Sequence, residues 1–390
     1  MRRFTINGFT RWGATSFVSA LFIAAPLACL HANPDTQRKE TEDVSGSVAR
    51  ALQTITADEL RGDLSFLASD ALQGRYTPSP GLDVAAEFIA SRFRASGLLA
   101  AGDSEYFQTA TLVGRKFLPP ESAPGTTTSS KPPKVKNVIG VLSGSDSELK
   151  NTYVLLTAHY DHLGTTATAG QEAAARPPRS SPDQIYNGAN DDGSGTVSII
   201  AIAAALAKLN PHPKRTIVFI AFAGEELGLL GSKYYALHPA FPLSKTIADI
   251  NLEQLGRTDS PQGREVNKVT LTGYDYSDFS SFLERAGRVT GIAVYVQKKE
   301  SRDYFVRSDN ASLAKRGVPA HTLCVAFDYP DYHRVGDEWQ KIDYDNMARV
   351  DRMVAVCVLE LANGAKTPEW NSANPKTAVW REEEKKLRAN

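Results

Sequence analysis

Five short segments of this chain concentrate residue types that bind metals or transfer protons. They span residues 158–162, 187–195, 219–228, 250–256 and 331–337. Imidazole and carboxylate side chains are zinc ligands, and carboxylates also serve as general bases. Each segment comes after an apolar run typical of a β-strand, which is where open α/β sheets place their functional sites. We therefore expect the five segments to meet at one edge of a sheet.

The glutamates Glu225 and Glu226 are the strongest local signal, because they follow closely on the apolar run 219–222. Burying carboxylates at the end of a core strand is costly unless a cation compensates them. Two adjacent glutamates also allow one to bind a metal and the other to act as a base toward water. The pattern favours a functional interpretation over a structural one.

The two other amino-proximal segments add a histidine and an aspartate pair. His159 and Asp161 lie two positions apart and point the same way in an extended chain, so Asp161 could fix the tautomer of His159. His162 has no such partner and is expected to be structural. Asp191 and Asp192 precede an apolar helix, whose N-terminus favours negative charge, so a simple cap explains them equally well locally.

The joint pattern is more specific than any one segment. It contains two histidines, three separate acidic ligand candidates and one spare glutamate. That set suits two zinc ions that share a bridging carboxylate, with one histidine and one further carboxylate on each ion. Nucleophile-based alternatives are weaker, because Cys324 lies within a predicted strand and Ser194 opens a helix without a GxSxG elbow.

Alternating strand and helix patterns must position these segments. Strand-like runs occur at 137–142, 153–158, 216–222, 247–252, 268–272 and 320–325, and helical patterns at 83–96, 194–209, 226–235, 277–289 and 345–361. This alternation predicts an α/β fold with a mixed, largely parallel central sheet and helices on both faces, in a single catalytic domain.

The order of the motifs resembles a known family. The chain reads AHYDHLG, NGANDDGSG, FAGEELGLLGS, NLEQLGR and YHRVGDEWQKID in succession. From about Leu60 to about Leu361 it resembles the secreted zinc aminopeptidases of metallopeptidase family 28, which also contains glutamate carboxypeptidases and glutaminyl cyclases. The resemblance implies the zinc exopeptidase, or phosphorylase/hydrolase-like, fold.

The resemblance also implies a role for each candidate. One zinc would be held by His159 and Glu253, the other by Glu226 and His333, and Asp191 would bridge both. Glu225 would be the general base, and Tyr332 would stabilise the oxyanion. Ser308 and Asp309 match an element on the far side of the substrate cleft.

Two features depart from the resemblance. The family usually has Asp where this chain has Glu253, which leaves one zinc ion open as an alternative to two. Many long bacterial members insert a protease-associated domain before the histidine strand. Here only the Pro/Ser/Thr-rich stretch 119–133 precedes that strand region, which predicts that the insertion is absent.

The expected activity is that of a zinc-dependent exopeptidase, specifically an aminopeptidase acting on peptides with a free N-terminus. The alternative is a glutaminyl cyclase, which forms N-terminal pyroglutamate and usually works with one zinc. A non-catalytic binding module is disfavoured, because Glu225 and all five ligand candidates are present. The preferred first residue, the choice against carboxypeptidase or dipeptidase activity, and the oligomeric state do not follow from the sequence.

The first 32 residues have the order of an export signal. Arg2, Arg3 and Arg11 accompany an apolar run at 17–30, and Ala32 offers a cleavage position. We therefore expect a periplasmic or secreted protein, and the poor lipobox before Cys29 disfavours a lipid anchor. A flexible arm is expected over 33–50, the peptidase domain over 51–363, and a polar tail over 364–390 with a solvated helix at 381–388.

Composition narrows the partners. The 44 basic and 44 acidic residues give zero net charge, which argues against a nucleic-acid partner. Apart from the leader, no apolar run reaches the length of a membrane span, so we expect none in the mature chain. Cys324 and Cys357 are expected to be buried apolar side chains, with a disulfide as the alternative.

Overall fold

The computed structural model describes residues 46–122, 131–169 and 182–389, so the predicted leader lies outside the described residues. A helical stretch at 46–52 overlaps the end of the expected flexible arm, 33–50, and continues into the expected peptidase domain. The α-helices that follow are α1 Ala57–Leu67, α2 Pro80–Ala95, α3 Gly195–Leu206, α4 Leu230–Leu237, α5 Phe279–Thr290, α6 Lys298–Asp303, α7 Asn310–Ala314, α8 Tyr344–Asn363 and α9 Ala378–Ala389. The strands are β1 Leu99–Ala100, β2 Phe107–Val113, β3 Lys116–Leu118, β4 Lys134–Leu142, β5 Tyr153–His159, β6 Gly164–Thr165, β7 Ile185–Tyr186, β8 Thr216–Phe222, β9 Thr246–Leu252, β10 Asp259–Ser260, β11 Gly263–Arg264, β12 Lys268–Leu271, β13 Ala293–Val294 and β14 Ala320–Cys324.

One sheet of ten strands organises the described chain, in the order β13-β12-β14-β9-β5-β8-β4-β2-β3, with β1 paired to β4. The four middle strands β14, β9, β5 and β8 are parallel, while β4, β2 and β3 continue the sheet antiparallel on one side. Their registers place His159 opposite Phe222 and Thr157 opposite Asn251. The carboxyl ends of the middle strands therefore lie at one edge, and the expected mixed, largely parallel sheet is confirmed.

Alternate residues of the central strands enter two different cores. In β8, Phe219 and Ala221 pack in the core that contains α3, whereas Val218 and Ile220 pack in the core that contains Leu313 of α7. Because both faces are covered, the whole strand is buried and reads as a continuous apolar run. The expectation of helices on both faces is confirmed.

The helix predicted over 226–235 begins later than expected. In the structure α4 begins at Leu230, so Glu226 lies in the turn between β8 and α4. Leu229 and Gly228 have φ values of 60° and 102°, which are left-handed and incompatible with a continuous right-handed helix. The prediction was wrong at this boundary because the apolar spacing of 227–235 mimics a helix across the turn.

The segment after residue 363 packs against the domain. Trp370 and Trp380 are buried, and their rings stack with centroids 5.3 Å apart. The ring of Trp380 also lies 4.7 Å from that of Phe305. The boundary expected at residue 363 therefore does not separate a polar tail from the domain, and α9 covers the helix predicted at 381–388.

Cys324 and Cys357 are free and buried, as expected for small apolar side chains. In the part of the chain that the structure describes, every helix is too short or too polar to cross a bilayer.

Candidate metal centre

Three neighbouring strands bring the ligand candidates to one edge of the sheet. His159 is the last residue of β5, Glu253 follows β9, and Glu225 and Glu226 follow β8 within four residues. The backbone N–H of Glu253 donates to the carbonyl of Leu323 in β14 at 3.1 Å, which ties the end of β9 to its other neighbour. The strand ends thus supply residues from three of the five segments.

Asp191 lies between two imidazoles. Its Oδ1 is 3.3 Å from Nε2 of His159, and its Oδ2 is 3.0 Å from Nε2 of His333. Asp191 is 2% exposed and precedes α3, where its peptide bond to Asp192 is cis. The structure therefore places the expected bridging carboxylate between the two expected histidines.

Glu253 completes a group around His159. Its Oε1 is 3.8 Å from Nε2 of His159, and its side chain is 15% exposed. One ligand atom from each of His159, Asp191 and Glu253 lies within 4.8 Å of the others. The extra methylene of Glu253 is thus accommodated with the carboxylate still facing the histidine.

Glu226 lies between His333 and a residue that the sequence did not single out. Its Oε2 is 3.5 Å from Nε2 of His333, and its Oε1 is 2.8 Å from Nδ1 of His162. His162, Asp191 and Glu226 form a second group with ligand atoms within 4.8 Å. His162 therefore has a carboxylate partner that the sequence did not indicate, because Glu226 follows a different strand.

Several buried atoms at the centre have close neighbours but no aligned hydrogen bond. They are Nε2 of His159, both ring nitrogens of His162 and Oε1 of Glu226. Buried nitrogens and carboxylate oxygens that face one another without hydrogen bonds suit a shared cation. The mixture of imidazole and carboxylate donors fits zinc.

Asp161 connects the histidine strand to the glutamate loop. Its main-chain oxygen is 3.2 Å from Nδ1 of His159, and its Oδ1 is 3.7 Å from the same nitrogen. The same Oδ1 accepts the backbone N–H of Glu225 at 3.0 Å, and Oδ2 accepts the hydroxyl of Thr77. Asp161 therefore orients both His159 and Glu225.

Two further buried carboxylates hold the loop of Asp191. Asp192 accepts the N–H groups of His159, Gly195 and Gln254 at 3.3, 2.9 and 3.3 Å. Asp337 accepts the N–H of Asp191 at 3.1 Å and the hydroxyl of Tyr329 at 2.9 Å. Burial raises the pKa of both carboxyl groups. Both carboxylates bond backbone groups of the ligand loops, so both act by positioning.

Glu225 lines a cavity of about 400 Å³ beside the ligand candidates. Burial raises the pKa of Glu225 against the opposing effect of His159, and the carboxylates of Glu226 and Glu253 raise it further. A carboxylate in this environment holds a proton more readily than one in water.

Tyr332 and Ser308 line the same cavity, but Asp309 does not reach it. The ring of Tyr332 stacks on that of His333 at 4.0 Å, and Ser308 accepts a hydrogen bond from Asn251 in β9. Asp309 has 0% exposure, and burial raises its pKa to about 7. Asp309 is therefore enclosed behind the cavity wall near Glu225 and His159, and its place in the substrate cleft stays a prediction.

Arg75 supports the site, although the sequence did not indicate it. Its guanidinium donates to the backbone carbonyls of Leu67, Tyr160, Asn187 and Gly188. Gly188 itself has φ 56°, and a Cβ there would lie 2.4 Å from the ring of His162. Carbonyl partners leave no pattern in the sequence, so nothing in the spacing of residues indicated this role.

The largely parallel sheet carries paired imidazole and carboxylate groups at the carboxyl ends of its strands. This arrangement is typical of α/β proteins that bind metal ions. The chain belongs to peptidase family M28, whose family model matches residues 137–358, more than half of the sequence.

Proteins similar to this chain in sequence or in structure include zinc metalloproteases and aminopeptidases. A probable zinc metalloprotease of Pyrenophora teres f. teres is 29% identical over 81% of this chain and 67% of its own length. Aminopeptidase YwaD of Bacillus subtilis is 24% identical over 90% of this chain and 80% of its own length. The structure of the LapA aminopeptidase of Legionella pneumophila has a TM-score of 0.57 at 21% identity, covering 83% of this chain and 76% of that one. The chain spans about one third to two thirds of the length of the first curated relatives that it matches.

Proposed function

We propose that this chain is a zinc-dependent aminopeptidase, an exopeptidase that hydrolyses the peptide bond after a free N-terminal residue. One observation carries the proposal, namely that the two oxygens of Asp191 face two different histidines at 3.3 and 3.0 Å. A carboxylate shared in this way is typical of two-metal hydrolytic sites. Relatives named as a zinc metalloprotease and an aminopeptidase support the same function.

The metal would be held in two neighbouring positions. The residues that would hold it are His159, Asp191, Glu226, Glu253 and His333. When bound, zinc polarises a peptide carbonyl and lowers the pKa of water to near neutrality.

Glu225 would be the general base. Its carboxylate accepts a proton from the attacking water and returns the proton to the leaving amine. Asp161 accepts the backbone N–H of Glu225 and faces His159, so it fixes the position of the base relative to one ligand. Tyr332 lines the same cavity, and its hydroxyl would donate a hydrogen bond to the carbonyl oxygen as negative charge develops there.

The test compares the wild type with Glu225→Gln on leucine p-nitroanilide and on a peptide with N-terminal glutamine. We expect the wild type to hydrolyse the anilide and the variant to lose roughly 100- to 10,000-fold in kcat with its zinc content unchanged. Glu148→Gln is the matched control, because Glu148 is exposed and precedes the amino end of β5. Near-normal hydrolysis by Glu225→Gln would contradict the assigned base. Ammonia release from the glutaminyl peptide without anilide hydrolysis would favour the cyclase instead.

We further propose that the protein is exported and acts in the periplasm or outside the cell. The charged start and apolar run of residues 1–32 support this proposal. N-terminal sequencing of protein recovered from periplasm and medium should begin at Asn33. An intact first residue, recovered only from the cytoplasm, would contradict it.

A further inference from the structure

Three exposed cations share the cavity with the acidic residues of the metal centre. Arg115, Lys233 and Arg307 line the cavity into which Asp191 and Glu225 also face. We call these three residues the cationic rim. Since the acids are buried or partly buried and the cations exposed, charge is segregated between the floor of the cavity and its mouth.

Two members of the cationic rim are fastened to the loop that carries Glu226. Arg115 donates from Nη2 to the carbonyl of Leu227 at 3.1 Å, and Lys233 donates from Nζ to the carbonyl of Gly228 at 2.7 Å. These carbonyls belong to the two residues that follow Glu226. The loop therefore holds both cations beside the candidate active site. Because backbone carbonyls are neutral, these hydrogen bonds leave the positive charges of Arg115 and Lys233 uncompensated.

Arg307 lines the same cavity from a different part of the chain. Its guanidinium lies 4.9 Å from the centre of the Tyr304 ring, and Tyr304 also lines the cavity. The adjacent Ser308 is buried and bonded to Asn251 of β9, which fixes the backbone beside Arg307. Planar stacking orients a guanidinium while leaving its N–H donors available for a ligand.

Among the described residues, no carboxylate lies within ion-pair distance of any member of the cationic rim. Exposed arginines elsewhere do pair, as Arg61 does with Asp58 at 2.6 Å and Arg94 with Glu105 at 2.6 Å. Asp328 lines the cavity as well but forms no ion pair with these cations. Three cations around one cavity, none of them paired with a carboxylate of the described residues, favour the binding of an anionic ligand.

We propose that the cationic rim binds a carboxylate of the substrate, so that this site prefers short or acidic peptides. The inference rests on the proposed peptidase function and names its substrate class. The carboxylate could be the C-terminus of a dipeptide or tripeptide, or the side chain of Asp or Glu, and both present the same two oxygens to a guanidinium fork.

Three matched peptide pairs separate these sources, each differing in one carboxylate. Leu-Leu against Leu-Leu-amide tests the C-terminus. Glu-Leu-amide against Gln-Leu-amide tests the first side chain, and Leu-Glu-amide against Leu-Gln-amide tests the second. We expect at least one pair to favour the carboxylate roughly 10- to 100-fold in kcat/KM, the value of a charge-assisted contact.

The triple variant Arg115→Gln, Lys233→Gln, Arg307→Gln should bring that ratio close to one. Lys208→Gln is the matched control, because Lys208 is exposed just beyond the end of α3. We expect it to leave the ratio as in the wild type. Titration calorimetry of the same pairs with zinc-free protein gives a second readout that does not need turnover.

The outcomes distinguish the two proposals. Hydrolysis of leucine p-nitroanilide with ratios near one for all three pairs would overturn the cationic rim and leave the peptidase standing. Tighter calorimetric binding of the peptide with the carboxylate, without hydrolysis of any substrate, would support the cationic rim and overturn the proposed peptidase function. A third outcome is that the triple variant loses zinc and hydrolyses both peptides of each pair more slowly by the same factor. In that case the cationic rim only offsets the negative charge of the buried acids, and the inference fails.

Discussion

Two buried arginines lie at opposite ends of the central strands. Arg75 is 1% exposed and binds four carbonyls, among them that of Tyr160 directly after β5. Arg215 is 4% exposed, directly precedes β8, and donates to the carbonyls of Leu361 and Gly364 at the end of α8. Both therefore anchor backbone segments that lie outside the sheet.

The charges around the two arginines differ. Burial lowers the pKa of Arg75 to about 10, and four carboxylates oppose that effect, those of Asp161, Asp337, Asp192 and Asp191. Burial also lowers the pKa of Arg215, and there the opposing carboxylate is that of Asp146. At the carboxyl edge the guanidinium thus both ties the loops together and offsets the acids of the metal centre. At the amino edge it is an anchor.

The largest expected effect comes from Arg75→Met. The change leaves four buried carbonyls without their donor, at about 1–3 kcal/mol each, so we expect the free energy of unfolding to fall by at least about 4 kcal/mol. Loss of the guanidinium also moves the loops of Asp191 and Asp161, so zinc should be released. Urea unfolding of the metal-free protein and zinc content after dialysis measure the two effects.

Arg215→Met is the matched control, with an expected loss of about 2 kcal/mol and unchanged zinc content. If Arg75→Met does not fold, Arg75→Lys keeps the charge and part of the hydrogen bonding, and its zinc content can be measured. Equal zinc retention by the Arg75 and Arg215 variants would show that the carboxyl edge is no more sensitive than the amino edge.

Asp351 is a buried carboxyl group outside the sheet. It lies on α8, and burial raises its pKa from about 4 to about 8. Between these values the folded protein binds one proton more than the unfolded chain. The free energy of unfolding therefore falls as pH rises, by at most about 1.4 kcal/mol per unit from this group.

Asp351→Asn should remove that contribution, so its stability relative to the wild type should increase by about 1–3 kcal/mol between pH 5 and 7. Denaturant unfolding at several pH values measures the difference. Asp345→Asn, at an exposed position of the same helix, should follow the wild-type slope. Parallel curves for Asp351→Asn and wild type would contradict a neutral buried Asp351.

Residues at strand ends were predictable, and residues whose partners are remote in sequence were not. β8 has the predicted bounds, because a strand buried on both faces is an unbroken apolar run. The ligand candidates follow such runs, so the sheet brings them together. Arg75 bonds a carbonyl 85 residues away, and His162 meets Glu226 across two loops. Trp370 and Trp380 were hidden because the polar composition around them masks their burial.

His162 tests whether the Glu226 half of the centre depends on a residue outside the expected ligand set. His162→Phe keeps an aromatic ring at this position but removes both ring nitrogens, including the Nδ1 that lies 2.8 Å from Glu226. Residues that hold a ligand typically contribute 10- to 100-fold to metal affinity, so we expect one zinc to bind that much more weakly. His238→Phe, at an exposed histidine that packs on Tyr234, is the matched control. If His162→Phe binds two zinc ions as tightly as the wild type does, the role of His162 is structural only.

Glu253→Asp tests the other half of the centre and has the smallest expected effect. The backbone of Glu253 is fixed by its bond to Leu323, so shortening the side chain draws the carboxylate away from His159, from which Oε1 is now 3.8 Å. Zinc–oxygen bonds are about 2.0–2.2 Å long, and a gap of one methylene exceeds what a small ring rotation recovers. We therefore expect two zinc ions in the wild type and a several-fold weaker second site in the variant, measured by metal analysis after dialysis against metal-free buffer. Glu148→Asp, at the opposite edge of the sheet, should retain both ions. The opposite result would be one zinc ion in the wild type and a second one gained by Glu253→Asp. That result would show that the site of His159 fits an aspartate, and that Glu253 prevents zinc from binding there.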